Sequence, residues 1–140
     1  MDKRLSALIK DYLASVSRAV QLLAQGGISQ PCSNTEWACN DVPQTGILPG
    51  GVKYYKHGYG CAVHLNDGTV DFDFGENGEI NGFDTWRLSG FAQGKLSQYG
   101  FESEDEVKMC FNAAVAAGEL RYSGYILYYL HETASPSRYD

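Results

Sequence analysis

The dipeptide Asp67-Gly68 lies between two runs of alternating apolar and polar residues, and it constrains this chain more than any other feature. Asp-Gly favours a two-residue hairpin turn, because both residues tolerate the positive φ that such turns require. Counting outward from that turn pairs Leu65 with Val70, His64 with Asp71, Val63 with Phe72, Ala62 with Asp73 and Cys61 with Phe74. The pairs Leu65/Val70, Val63/Phe72 and Cys61/Phe74 then share one apolar face. His64, Asp71 and Asp73 share the other, so pattern and turn agree on one register. Upstream, Val52 to Leu65 is rich in Tyr and Val and reads as strand, with Gly58 and Gly60 marking a bulge or bend.

Helices are expected on both sides of this hairpin. Leu5, Leu8, Ile9, Tyr12, Leu13, Val16, Val20 and Leu23 recur at three- and four-residue steps, which predicts a helix over 2–25 ended by Gly26-Gly27. Residues 28–51 hold three prolines and no sustained period, and read as a long loop in which Trp37 is either pinned to the body or offered to a partner. Gly75 to Gly82 reads as a second, acidic loop. Asp84 is placed as the N-cap of a short helix from Thr85 to about Gln93, and Ser103 with Glu106 forms a capping box for a helix running to Gly118. A Tyr-rich strand over 119–131 follows. The fold class is therefore α+β: an antiparallel sheet, made of the hairpin 52–65/69–74 and the strand 119–131, packed against an N-terminal helix and two later helices. With 140 residues, one domain over 1–132 and a polar tail over 133–140 are expected.

Charge is unevenly placed. Seventeen acidic residues face eleven basic ones, and the segment from His57 to Trp86 carries six of the acids (Asp67, Asp71, Asp73, Glu76, Glu79 and Asp84) with no Lys or Arg. The remainder balances at eleven of each sign, so the whole net charge of -6 sits in that one segment. Nucleic acid needs a basic footprint and is not the expected partner. A cationic protein is. No apolar run reaches membrane-span length, and the N-terminus lacks the apolar core of a secretory signal, so a cytoplasmic protein is expected. Cys61 and Cys110 fall on apolar faces as structural thiols. Cys32 and Cys39 bracket a loop and either pair or stay free, with no further ligands at zinc spacing.

Three groupings carry potential chemistry. His64 opposite Asp71 reads either as an acid/base pair or as a cross-strand ion pair. No nucleophile accompanies it, since Cys61 lies on the other face of its strand. Asp73, Asn77, Gly78, Ile80 and Asp84 match five positions of a calcium loop, but Gly75 stands where a ligand is needed, so no metal or other cofactor is expected. Trp86 and Arg87 are the residue types that dominate binding hot spots, and they read equally as a core aromatic beside an internal ion pair.

The run from His57 to Gln93, HGYGCAVHLNDGTVDFDFGENGEINGFDTWRLSGFAQ, resembles a small family of uncharacterised bacterial domains in which an acidic hairpin precedes a GFD-x-WRL segment, and the ending GELRYSGYILYYL supports it. Such domains resemble, in size, acidity and architecture, the cytosolic immunity proteins that neutralise polymorphic toxins. The resemblance implies a non-enzymatic protein-binding domain whose partner is a cationic toxin domain. The residues expected to meet that partner are His64, Asp71, Asp73, Glu76, Glu79, Asp84, Trp86 and Arg87. The alternative is a small enzyme or ligand-binding domain using the polar face around His64, Asp71 and Asp73.

Overall fold

The computed structural model describes residues 1–28, 44–57, 60–73, 82–122 and 127–130. Helix α1 (Lys3–Gln25) opens on Asp2, whose carboxylate accepts the Arg4 N–H, and closes at Gly26. Strands β1 (Thr45–Leu48), β2 (Val52–His57), β3 (Gly60–Leu65) and β4 (Gly68–Asp73) form one antiparallel sheet in the order β1-β2-β3-β4. Helix α2 (Thr85–Phe91) follows with Asp84 as its N-cap, then the short α3 (Leu96–Tyr99) and α4 (Glu104–Ala116), capped by Ser103. Strands β5 (Leu120–Tyr122) and β6 (Tyr128–Leu130) pair with each other.

The α+β class is as the sequence predicts, and three details differ. The strand expected over 52–65 is two antiparallel strands, with the reversal between His57 and Gly60 where a bulge was expected. Part of the expected loop supplies β1, whose Thr45 lies opposite Tyr55. The C-terminal strand does not join the main sheet. It is a hairpin of its own, tied back by a bridge between Phe83 and Tyr128.

The β3–β4 register is also displaced. Leu65 faces Gly68, His64 faces Thr69, Val63 faces Val70, Ala62 faces Asp71 and Cys61 faces Phe72. The two-residue turn is thus Asn66-Asp67, with Gly68 already in the strand. Tertiary contacts outweigh the local Asp-Gly preference. Asp67 is drawn to Arg18 of α1, its carbonyl accepts from Lys95 Nζ, and Gly68 lies against Phe91 of α2. Because the turn moved by one position on both arms, the faces are conserved: Val63, Val70, Cys61 and Phe72 are all buried.

The core lies between that face and the helices. The α1 stripe of Leu5, Leu8, Ile9, Tyr12, Val16, Ala19 and Leu23 is buried, as are Leu88 and Phe91 of α2 and Val107, Phe111 and Ala114 of α4. Burying each such aliphatic side chain stabilises by about 1.5–3 kcal/mol. Tyr12 sits at the centre, edge-on to Phe83 and Phe91 at centroid distances of 6.3 and 5.8 Å. Its hydroxyl donates to the Asp71 carbonyl at 2.6 Å, so a core phenol satisfies a backbone oxygen of the edge strand β4.

Gly68 tests this register directly. Its φ of 147° excludes ordinary side chains, and an added Cβ would lie 2.6 Å from the Phe91 carbonyl oxygen. Gly68→Ala is expected to cost about 1–3 kcal/mol in urea unfolding. A neutral result would return Gly68 to an unconstrained turn.

Candidate functional site

Five charged side chains converge where β2, β3 and β4 meet the N-terminus of α2. Arg87 is placed by the first turn of α2, which Asp84 starts by accepting the Arg87 backbone N–H at 2.8 Å. The Arg87 guanidinium then folds back: Nη1 donates to Asp84 Oδ2 and Nη2 to Asp73 Oδ2, both at 2.8 Å. One arginine thus clamps the end of the edge strand to the start of the helix. Its side chain is 10% exposed, and its Nε is buried without an acceptor among the described residues.

Beside it, His57 Nε2 lies 2.8 Å from Asp71 Oδ1. The middle strand makes this approach possible. Ala62 lies between Tyr55 and Asp71, and Gly60 between His57 and Asp73, so side chains of β2 and β4 meet over a strand that offers almost none. The Asp71 carboxylate holds the His57 imidazole above its ordinary pKa, against an opposing contribution from partial burial. Tyr12, directly beneath, has its phenol pushed far up by burial. Cys61 is likewise pushed up to about 12 by burial and is a structural thiol rather than a nucleophile.

Trp86 is 67% exposed, immediately above this network, with the Arg87 guanidinium carbon 5.7 Å from its ring centroid. The sequence alternatives for the Trp86-Arg87 pair therefore divide. Arg87 is the internal ion-pair residue, and Trp86 is on the surface.

The other predicted residues fall as follows. Asp71, Asp73, Asp84, Trp86 and Arg87 are gathered here. The expected His64–Asp71 pair does not form, because the shifted register puts His64 opposite Thr69, with Nδ1 3.0 Å from its hydroxyl, and leaves Asp71 to His57. Glu76 and Glu79 lie outside the described residues, as do Trp37, Cys32, Cys39 and residues 74–81 of the calcium-like loop. The two ends of that loop, Asp73 and Asp84, both hold Arg87. His57, Asp71 and Asp73 offer three ligand-type atoms within 4.8 Å of one another, a set of the kind that holds a divalent ion. Here, however, a guanidinium already neutralises Asp73. Sequence reasoning missed His57 and Tyr12. The signal for His57 was the Gly58/Gly60 pair: a chain reversal there, instead of a bulge, lays His57 beside β3.

The described carboxylates of the segment thus have counter-ions inside the protein. Asp67 pairs with Arg18, Asp71 with His57, and Asp73 and Asp84 with Arg87. Asp71 and Asp73 face away from the core, yet they are not free rim charges. Asp73→Asn leaves the buried Arg87 with one carboxylate, and it is expected to cost about 2–4 kcal/mol by chemical denaturation.

The pH dependence has a definite sign. A raised folded-state pKa for His57 means that its contribution is complete below the ordinary value of 6.5 and is lost as pH rises through the higher folded value. Melting temperature should therefore contain a component that falls as pH increases above 6.5. In His57→Gln that component should be missing. An unchanged profile would show that the pair carries no linkage.

No curated protein and no solved structure matches the chain. A family model does, over residues 5–130, from the first turn of α1 to the end of β6. With that span covered, the chain belongs to the family described as Domain of unknown function (DUF6896).

Proposed function

We propose that the chain is a non-enzymatic protein-binding domain, and that it acts as an immunity protein by occluding a cationic toxin domain. The observation that carries the reading is Trp86: a large aromatic, 67% exposed, seated on an arginine that two carboxylates hold in place. Exposed tryptophan on a rigid base is the form that binding anchors take, since little side-chain freedom remains to be lost on association. Two further points support it. Three carboxylates (Asp71, Asp73 and Asp84) outnumber Arg87 and His57 even when the imidazole is fully protonated, so the rim around Trp86 stays negative. The chain as a whole carries -6, which steers a basic partner inward.

The enzyme alternative has less to support it, because among the described residues His64 and Asp71 engage different partners, Thr69 and His57, and do not form the expected pair.

The test is co-expression with the products of the genes adjacent to the one that encodes this chain, a toxic one being the expected partner, followed by binding kinetics on the purified pair. The wild type should restore growth and associate more slowly as salt rises. Trp86→Ala should change stability by about 0.5 kcal/mol or less, since the ring is exposed. It should accelerate dissociation by about thirtyfold, as loss of an anchor does. Failure of the wild type to protect would overturn the immunity role. Dissociation unchanged in Trp86→Ala would remove this surface from the contact.

A further inference from the structure

The outward face of the sheet has a second region, distinct from the Trp86 surface and independent of the function proposed for it. The faces of β1 and β2 that carry Ile47, Lys53 and Tyr55, together with His64 of β3, line an open groove of about 460 Å³, within the size range of small-molecule sites. Two of its walls are apolar and exposed: Ile47 is 71% accessible and Tyr55 41%. Side chains of this kind are ordinarily covered, and here they flank the same concavity.

The ionisable groups that distinguish the groove are the nitrogens of Lys53 and His64, beside the hydroxyls of Thr45 and Tyr55. Lys53 lies directly opposite His64 across the β2–β3 ladder. Two cation-forming side chains in direct opposition repel whenever both are charged, and an anion placed between them relieves this. No carboxylate of the described residues reaches either one, although acids outnumber bases in the chain. His64 is held by Thr69 through Nδ1, at 3.0 Å, which leaves Nε2 without a partner among the described residues.

The walls are set in advance. The Tyr55 hydroxyl accepts a hydrogen bond from Gln44 Nε2 at 3.0 Å, and its ring stacks on His57 with centroids 6.2 Å apart. Aromatic and aliphatic walls beside donor nitrogens suit one ligand chemistry.

We propose that this groove binds a small carboxylate with a flat apolar body, the carboxylate between Lys53 and His64 and the body against Ile47 and Tyr55. A charge-assisted hydrogen bond from Lys53 supplies the orientation, and the apolar walls supply most of the contact area.

The test uses the full chain, labelled with ¹⁵N, titrated with indole-3-acetate and separately with indole-3-acetamide, its neutral counterpart. The expected result is saturable amide shifts confined to residues 45–47, 53–55 and 64, with a dissociation constant of about 1 mM or below, as fits a ligand of this size. The amide should bind about tenfold more weakly. Lys53→Met should weaken the acid by a similar factor and Lys53→Arg should restore it, with thermal melts confirming that both variants fold. Equal affinity for acid and amide, shifts centred elsewhere, or no saturation by about 10 mM would overturn the proposal. The wild-type comparison of acid with amide decides the matter even if a Lys53 variant fails to fold.

Discussion

The fold and the candidate site share one constraint: a guanidinium nine-tenths removed from water must keep its carboxylates. Arg87 has two, Asp73 at the end of the sheet edge and Asp84 at the start of α2. Removing either leaves a buried charge with half its compensation, which is more costly than never burying one. That asymmetry fixes how the edge strand meets the helix. It also fixes what stands around them. Tyr12 reaches the Asp71 carbonyl from below, His57 reaches the Asp71 carboxylate from the side, and Trp86 is left on top because its neighbour in sequence is anchored underneath.

The same network explains why charge read along the chain misleads about charge in space. The segment from His57 to Trp86 contains no Lys or Arg, and on paper it is an open acidic surface. In the fold its described carboxylates draw cations from outside it: Arg18 from the first helix and Arg87 from one residue past its end. His57, neutral in a formal count, adds a third when protonated. An acidic run therefore reports an excess, which survives folding. Which carboxylates remain available to a partner depends on packing.

Much of the fold was legible because it rests on local rules. The α1 stripe, its glycine stop, the Asp84 cap and the Ser103 cap depend on residues within a turn of one another, and all appear where the sequence puts them. The hairpin faces were legible too, since alternation of period two survives a shift that moves both arms together. The register itself was not. The preference of Asp67-Gly68 for the turn is modest, and it lost to Arg18 and Lys95 holding Asp67, with Phe91 packed on Gly68, contacts made across tens of residues. That one displacement carried the site with it: Asp71 exchanged His64 for His57, and the pair drawn from sequence dissolved. The reversal between β2 and β3 was missed for a related reason, since glycines near 58–60 fit a bulge and a turn equally until the sheet order is known.

What emerges is a sheet face divided by its middle strand. Gly60 and Ala62 leave a shallow channel in β3, and side chains from both flanks lean into it. On the β4 side they are carboxylates answered by Arg87 and His57. Toward β1 they are Lys53, His64 and exposed apolar groups. Tyr55 touches both halves, stacking on His57 while walling the groove. Small residues on a central strand weaken a sheet when nothing replaces their packing. Here the replacement is polar and comes from the neighbouring strands, so the stability of this face is set by a few side chains. A domain of this size has a modest margin of stability. Side chains that brace the sheet are held rigid, and under the proposed function that rigidity before contact is what would let a small surface bind tightly.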